Sequence, residues 1–141
     1  MGVDCVSSGE IYTALNAGFP AEKIYFHGNN KTDADLAYAL ENGVGTIVVD
    51  NKEELESLSR LATERGVTQR ILVRITPEID PHTHRAVVTG NIDSKFGSPI
   101  TTGAAMAMVK AAISAKGISF EGLILQATQE KSAVSTLALS V

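Results

Sequence analysis

A glycine that closes a helix recurs along this chain, and its spacing restricts the fold more than any other feature. Four segments read x-Gly-apolar after a helix-like stretch: Ala17-Gly18-Phe19, Asn42-Gly43-Val44, Arg65-Gly66-Val67 and Lys116-Gly117-Ile118. Glycine there supplies the left-handed residue that ends a helix. Each segment leads into a short β-rich run: Ile24-Tyr25-Phe26, Thr46 to Val49, Ile71 to Ile75, and Phe120 to Leu125. With Val3 to Val6 in front, five strands are expected.

The helices between them are marked by starts that can cap free backbone N–H groups: Ser7 with Glu10, Thr32 with Asp35, and Asp50 with Glu53. In the third helix Leu55, Leu58, Leu61 and Ala62 recur at helical spacing, and Glu53, Glu54, Glu56 and Arg60 occupy the face predicted to be solvated. In the last helix Met106, Val109, Ala112 and Ile113 form the equivalent stripe, a core pattern rather than a ligand site.

Strand alternating with helix argues for an α/β fold with parallel strands and right-handed crossovers. Two architectures remain open: a doubly wound sheet, or part of a (β/α)8 barrel. The only Gly-x-Gly, Gly43-Val44-Gly45, precedes a strand rather than following one, so a dinucleotide-binding fingerprint is absent. A whole barrel takes about 250 residues. If the fold is of that kind, the 141 residues here would be about five β/α units, an incomplete TIM-like barrel. Such a sheet has two open edges, expected near Val3 to Val6 and near Phe120 to Leu125, and open edges template association.

In either architecture the residues just past the C-terminal ends of parallel strands share one rim, where α/β proteins place their chemistry. That rim comprises Ser7-Ser8-Gly9-Glu10, His27-Gly28-Asn29-Asn30-Lys31, Asp50-Asn51, and Arg74 with Thr76. After it comes a long connector, Pro77 to Ile100, holding His82, His84 and Lys95. Arg74 interrupts an apolar strand, and a buried guanidinium requires an anionic or hydrogen-bonded partner. His82-x-His84 has metal-ligand spacing, but His27 is the only other histidine and cysteines are not clustered, so no metal site is assigned.

Composition removes further classes. A formal charge of −4 disfavours electrostatic nucleic-acid binding, and no apolar run approaches the roughly 20 residues of a membrane span. The start Met1-Gly2-Val3-Asp4 has no signal-peptide pattern. A single cysteine, Cys5, cannot form an internal disulfide, which suits a cytoplasmic setting.

Five blocks, in order, resemble the diaminopimelate decarboxylase family: Asp4-Cys5-Val6-Ser7-Ser8-Gly9-Glu10, Phe26-His27-Gly28-Asn29-Asn30-Lys31, Leu72-Val73-Arg74-Ile75-Thr76-Pro77, His82-Thr83-His84 with Thr89-Gly90, and Asp93-Ser94-Lys95-Phe96-Gly97. The likeness covers about residues 1 to 123 and distinguishes this family from its ornithine- and arginine-decarboxylating relatives. It implies an alanine-racemase-like barrel with a separate β-rich C-terminal domain. It further implies pyridoxal 5'-phosphate as cofactor and conversion of meso-diaminopimelate to L-lysine and carbon dioxide. By the same resemblance Asp4, Ser7, Glu10, His27, Asn30 and Arg74 line the cofactor pocket, and Lys95 lies near the interface of a homodimer.

The match has gaps. The family's imine-forming lysine belongs about one β/α unit before the Asp4 block, so no catalytic residue is assigned within this chain. After Leu123 the family's His-x-His-Ile-Gly-Ser-Gln-like strand is expected, and Ile124-Leu125-Gln126-Ala127-Thr128-Gln129 stands there instead. The expected organisation is a partial barrel over residues 1–125 and a divergent tail over 126–141, with the C-terminal β domain lacking. The expected function is that of a diaminopimelate decarboxylase fragment, inactive alone. The alternative is a noncatalytic α/β fragment acting, if at all, through self-association or binding.

Overall fold

The computed structural model describes residues 1–76, 98–100, 103–125 and 137–140. The elements are β1 (Val3–Cys5), α1 (Ser8–Asn16), β2 (Ile24–Phe26), α2 (Asp33–Glu41), β3 (Thr46–Val49), α3 (Lys52–Glu64), β4 (Gln69–Thr76), β5 (Ser98–Pro99), α4 (Ala104–Ser114), β6 (Ile118–Leu125) and β7 (Leu137–Ser140). A 3-10 turn, Ala21–Lys23, leads into β2.

Strands β1, β2, β3, β4 and β6 lie side by side in that order, each parallel to the next. The short β5 runs parallel to the end of β4, pairing Ile75 with Ser98. Helix α1 packs on α2, α2 on α3, and α3 on α4. A doubly wound sheet reverses strand order at a switch point and divides its helices between two faces. Here neither happens, so the sheet is wound in one direction, as in a (β/α) barrel, and the architecture left open by periodicity is decided.

Three of the four helix-closing glycines act as expected. Gly18, Gly43 and Gly66 have φ of 81°, 70° and 64°. The apolar residue after each donates its N–H five residues back: Phe19 to Ala14, Val44 to Ala39, and Val67 to Ala62. This is the six-to-one bond that stops a helix and turns the chain toward the core. Gly117 serves another purpose. Helix α4 ends at Ser114 with Ala115 already extended, and a Cβ on Gly117 would stand 3.1 Å from the Ala62 Cβ.

The core lies between sheet and helices. Ile11, Ile24, Phe26, Leu36, Ile47, Leu58, Ile71 and Val73 are all fully buried within it. Period-2 alternation separates the sheet's two faces. Ile71, Val73 and Ile75 belong to the helix-facing core, which leaves Leu72 and Arg74 on the opposite face. Asp4, between Val3 and Cys5, which both meet that core, shares this opposite face.

Several expectations need correction. The cap of α3 is Asn51, whose side chain accepts from the Glu54 N–H, rather than Asp50 with Glu53. Glu54 is buried rather than solvated. The buried face of α4 is Ala105, Met108 and Ala112, whereas Met106 and Ile113 are 61% and 66% exposed. That helix is apolar nearly all round, so spacing does not select a face. Strand β4 starts earlier, at Gln69, and β6 at Ile118. The edge of β6 is not open along its whole length, because β7 pairs with it antiparallel from Gly122↔Ser140 to Leu125↔Leu137. The β1 edge has no strand partner among the described residues.

Candidate functional site

Sequence order and strand direction bring the ends of β1, β2, β3 and β4 to one rim. His27 follows β2 directly, and its N–H donates to the Cys5 carbonyl at 2.8 Å. That bond holds the first residue of the next loop against β1. His27 Nε2 stands 3.4 Å from Asp4 Oδ1. Burial lowers the imidazole below its ordinary pKa of 6.5, and Arg74 and Lys31 lower it further against the opposing charge of Asp4. At neutral pH the ring is neutral and can accept as well as donate.

Arg74 is buried and pairs with Asp50, its Nη1 lying 3.2 Å and 3.4 Å from the two carboxylate oxygens. The register explains the pair: Val49 is opposite Val73, so the next residues of β3 and β4 are neighbours at the strand ends. The anionic partner that a guanidinium in an apolar strand requires is thus Asp50, two residues before the α3 helix begins.

Beside this pair is a second ion pair. The Lys31 side chain is 1% exposed and that of Glu54 is 4% exposed, with Nζ 2.9 Å from Oε1. The contact is close but off a hydrogen-bond direction, leaving Oε1 with no hydrogen-bond partner among the described residues. Burial pushes the Glu54 carboxyl up to about 7, with Asp50 contributing in the same direction and Lys31 opposing. Asn30 is exposed and lines, with Lys31, Asn51 and Glu54, a polar cleft of about 210 Å³ beside the start of α3.

The remaining sequence candidates are engaged locally. Ser7 Oγ accepts from the Glu10 N–H at 3.2 Å, and Glu10 Oε2 accepts from the Val6 N–H at 2.7 Å. Ser7 and Glu10 therefore hold the α1 entrance immediately after β1. Cys5 is buried, and burial, followed by Glu10 and Asp4, raises its thiol pKa. It is not an activated nucleophile. His82, His84 and Lys95 lie outside the described residues. Among the described residues no group of three or more His, Cys, Asp or Glu is placed to hold a metal ion, and no helix is long and apolar enough to cross a membrane.

Asp4, His27, Arg74 and Asp50 thus form a continuous polar rim, to which Lys31 and Glu54 are joined. Sequence reading places His27, Lys31, Asp50 and Arg74 on the rim and the resemblance adds Asp4, but it gives Lys31 no role, reads Asp50 as a cap and puts Glu54 on a solvated face. A signal for Asp50 was present, since an acid ends the strand that neighbours Arg74. For Glu54 the only local signal, its place three residues after Asn51, pointed to capping.

These residues suit one wall of a pyridoxal phosphate site. They offer a fixed guanidinium, a neutral imidazole and carboxylates at the C-terminal ends of parallel strands. They do not themselves supply a lysine for covalent attachment: Lys31 is enclosed and paired, and the exposed Lys52, at the start of α3, is directed to Glu56 along the helix surface.

Residues 1–126 match the family model described as pyridoxal-dependent decarboxylase, pyridoxal binding domain. The diaminopimelate decarboxylase of Bacillus methanolicus is 46% identical over 123 residues, which are 87% of this chain and 28% of that protein. That of Bacillus subtilis is 44% identical over the same length, again 28% of its own chain. Among solved structures, the diaminopimelate decarboxylase of M. jannaschii in complex with L-lysine superimposes with a TM-score of 0.77 at 34% identity, covering 89% of this chain and 29% of that one. The Helicobacter pylori enzyme complexed with L-lysine gives 0.74 at 32% identity, covering 88% and 31%. The chain therefore spans less than a third of the length of these relatives. With a barrel-type order of strands, a polar rim at their C-terminal ends and a family model matched over residues 1–126, this chain belongs to the pyridoxal-binding domain family of the pyridoxal-dependent decarboxylases.

Proposed function

We propose that these residues form part of the cofactor-binding barrel of a diaminopimelate decarboxylase, which converts meso-diaminopimelate to L-lysine and carbon dioxide in the cytoplasm. The observation that carries this reading is the convergence of Asp4, His27 and Arg74 at one rim, with Arg74 held by Asp50 at 3.2 Å. Bound pyridoxal phosphate supplies an electron sink for the pair left on carbon when a carboxylate departs.

This chain's own residues supply position and electrostatics. Arg74, clamped by Asp50, presents positive charge without moving. His27, neutral and against Asp4, offers a polar ring edge whose proton location Asp4 biases. Ser7 and Glu10 fix the α1 entrance next to Asp4, and Asn30 presents an exposed amide at the next strand end. In the reading adopted here the whole protein is a homodimer with Lys95 near the interface, and an amino acid is its small-molecule substrate.

In this reading the chain alone neither captures the cofactor covalently nor releases carbon dioxide, because Lys31 is enclosed by its pairing with Glu54 and Lys52 is a helix residue directed to Glu56 on the surface of α3. The test is to titrate pyridoxal phosphate into the labelled chain by NMR, then reduce with borohydride, map labelled peptides and assay lysine formation. The expected result is a set of shifts centred on Asp4, His27 and Arg74, with no stoichiometric lysine labelling and no turnover. Shifts confined to the opposite end of the strands would overturn the site, and labelling of one lysine with turnover would overturn the claim of inactivity.

A further inference from the structure

The loop after β2 carries His27 and Asn30, and the structure shows what holds it. Lys31 Nζ donates to the Gly28 carbonyl within the same loop, lies 5.6 Å from the centroid of the buried Phe26 ring, and stands 2.9 Å from Glu54 Oε1 on α3. The loop has little room to relax elsewhere, because Gly28, at φ 118°, lies so near β1 that a Cβ would stand 3.1 Å from the Val6 carbonyl oxygen.

Glu54 has not taken the usual role of its position. Three residues after the cap, a glutamate ordinarily reaches back to the cap backbone. Here the Asn51 side chain caps the Glu54 N–H at 2.8 Å while the Glu54 carboxylate turns inward to Lys31. Two long ionisable side chains have thus left solvent for each other, and their contact and the Lys31 bond to the Gly28 carbonyl have to offset the desolvation this costs.

We propose that Lys31 is the positioning residue of this rim, with Glu54 as the buried carboxyl group that it rests against, and that together they set where His27 and Asn30 stand. This builds on the cofactor-site reading above, but its first test needs no cofactor. The groups facing the pair are Asp50 at the end of β3, Arg74 of β4 through Asp50, and Glu53 on the same helix. His27 in turn faces Asp4, Arg74 and Lys31.

Opening the loop releases Glu54 to water, where its carboxyl returns from about 7 toward 4.5. The open form therefore binds fewer protons and gains as pH rises. Linkage makes the opening equilibrium about ten-fold more favourable at pH 8 than at pH 6.

Amide hydrogen exchange on the full chain, corrected for the intrinsic rate, reads this at the His27 N–H. Wild type is expected to lose about ten-fold protection from pH 6 to pH 8, and Glu54→Gln to lose that pH dependence. Lys31→Met is expected to lose ten-fold or more at His27 while Val48 and Val73 keep their protection. Unchanged protection at His27 in Lys31→Met, an equal loss at Val48 and Val73, or a wild-type pH profile in Glu54→Gln would each overturn the proposal. If Lys31→Met does not fold, the Glu54→Gln profile decides alone. Pyridoxal phosphate titration of the same proteins separates the two readings. The expected exchange pattern in a wild type that does not bind the cofactor leaves the anchor standing and removes the cofactor site.

Discussion

Replacing Arg74 by methionine keeps an unbranched stem in its slot and removes the guanidinium. Asp50, with a side chain 3% exposed, then loses a positive charge 3.2 Å away. At that separation and an effective dielectric of about 20, the lost attraction is about 5 kcal/mol before the cost of desolvation is set against it. Truncating one member of a buried pair costs about 3–5 kcal/mol, because the remaining charge stays out of water. Arg74→Met is expected in that range, and Asp50→Asn somewhat lower, since an amide still accepts from the guanidinium. The double variant should lose little more than the worse single, giving a coupling toward the upper end of about 0.5–3 kcal/mol. Urea unfolding followed by circular dichroism measures all four proteins, with the slope checked for constancy. Additive losses, or an Arg74→Met loss below about 1 kcal/mol as for an exposed pair, would refute the claim that Asp50 and Arg74 are a buried, mutually dependent unit.

The other predictions test packing, protonation and the sheet edge. Gly45→Ala would place a Cβ 2.0 Å from the Glu22 carbonyl oxygen and 2.6 Å from its carbon, so backbone must move, and a loss of at least about 1–3 kcal/mol is expected. Gly9→Ala in α1, where the nearest atom is Ser7 Oγ at 3.8 Å, should be neutral or gain up to about 1 kcal/mol, and thermal unfolding compares the two. Glu54 is an acid whose pKa is raised on folding to about 7, so its contribution to stability is fully present below its unfolded pKa and declines as pH rises to about 7. The total is about 3 kcal/mol, and the difference in urea stability between wild type and Glu54→Gln should follow that window, a flat difference counting against it. A chain ending at residue 136 exposes the β6 edge from Gly122 to Leu125 and should associate more strongly in sedimentation velocity than the full chain, identical profiles showing that β7 does not protect that edge.

Much of the fold was legible because its signals are local. A glycine that alone adopts a left-handed conformation cheaply, followed by an apolar residue, ends α1, α2 and α3 whatever surrounds it. The leucine stripe of α3 defines its buried side by period, and the short apolar runs of β2 and β3 mark them as strands. His27 and Arg74 could be placed on one rim because parallel strands bring their C-terminal ends together, and the resemblance added Asp4 and a cofactor to that rim.

Tertiary structure decided what local pattern left degenerate. Asp50 and Asn51 are both suited to cap α3, and the choice went to Asn51 because register places Asp50 beside Arg74, where its charge is needed. The α4 sequence permits several buried faces, and contact with the sheet selected the one lined by alanine and Met108. Strand β7 runs antiparallel along an edge that alternation predicted to be open. The largest departure is Glu54, which reads as a solvated helix residue and lies buried. Its position depends on Lys31, a residue on another loop, and burial of a charge is set by the partner that meets it in space rather than by the neighbours it has in the chain.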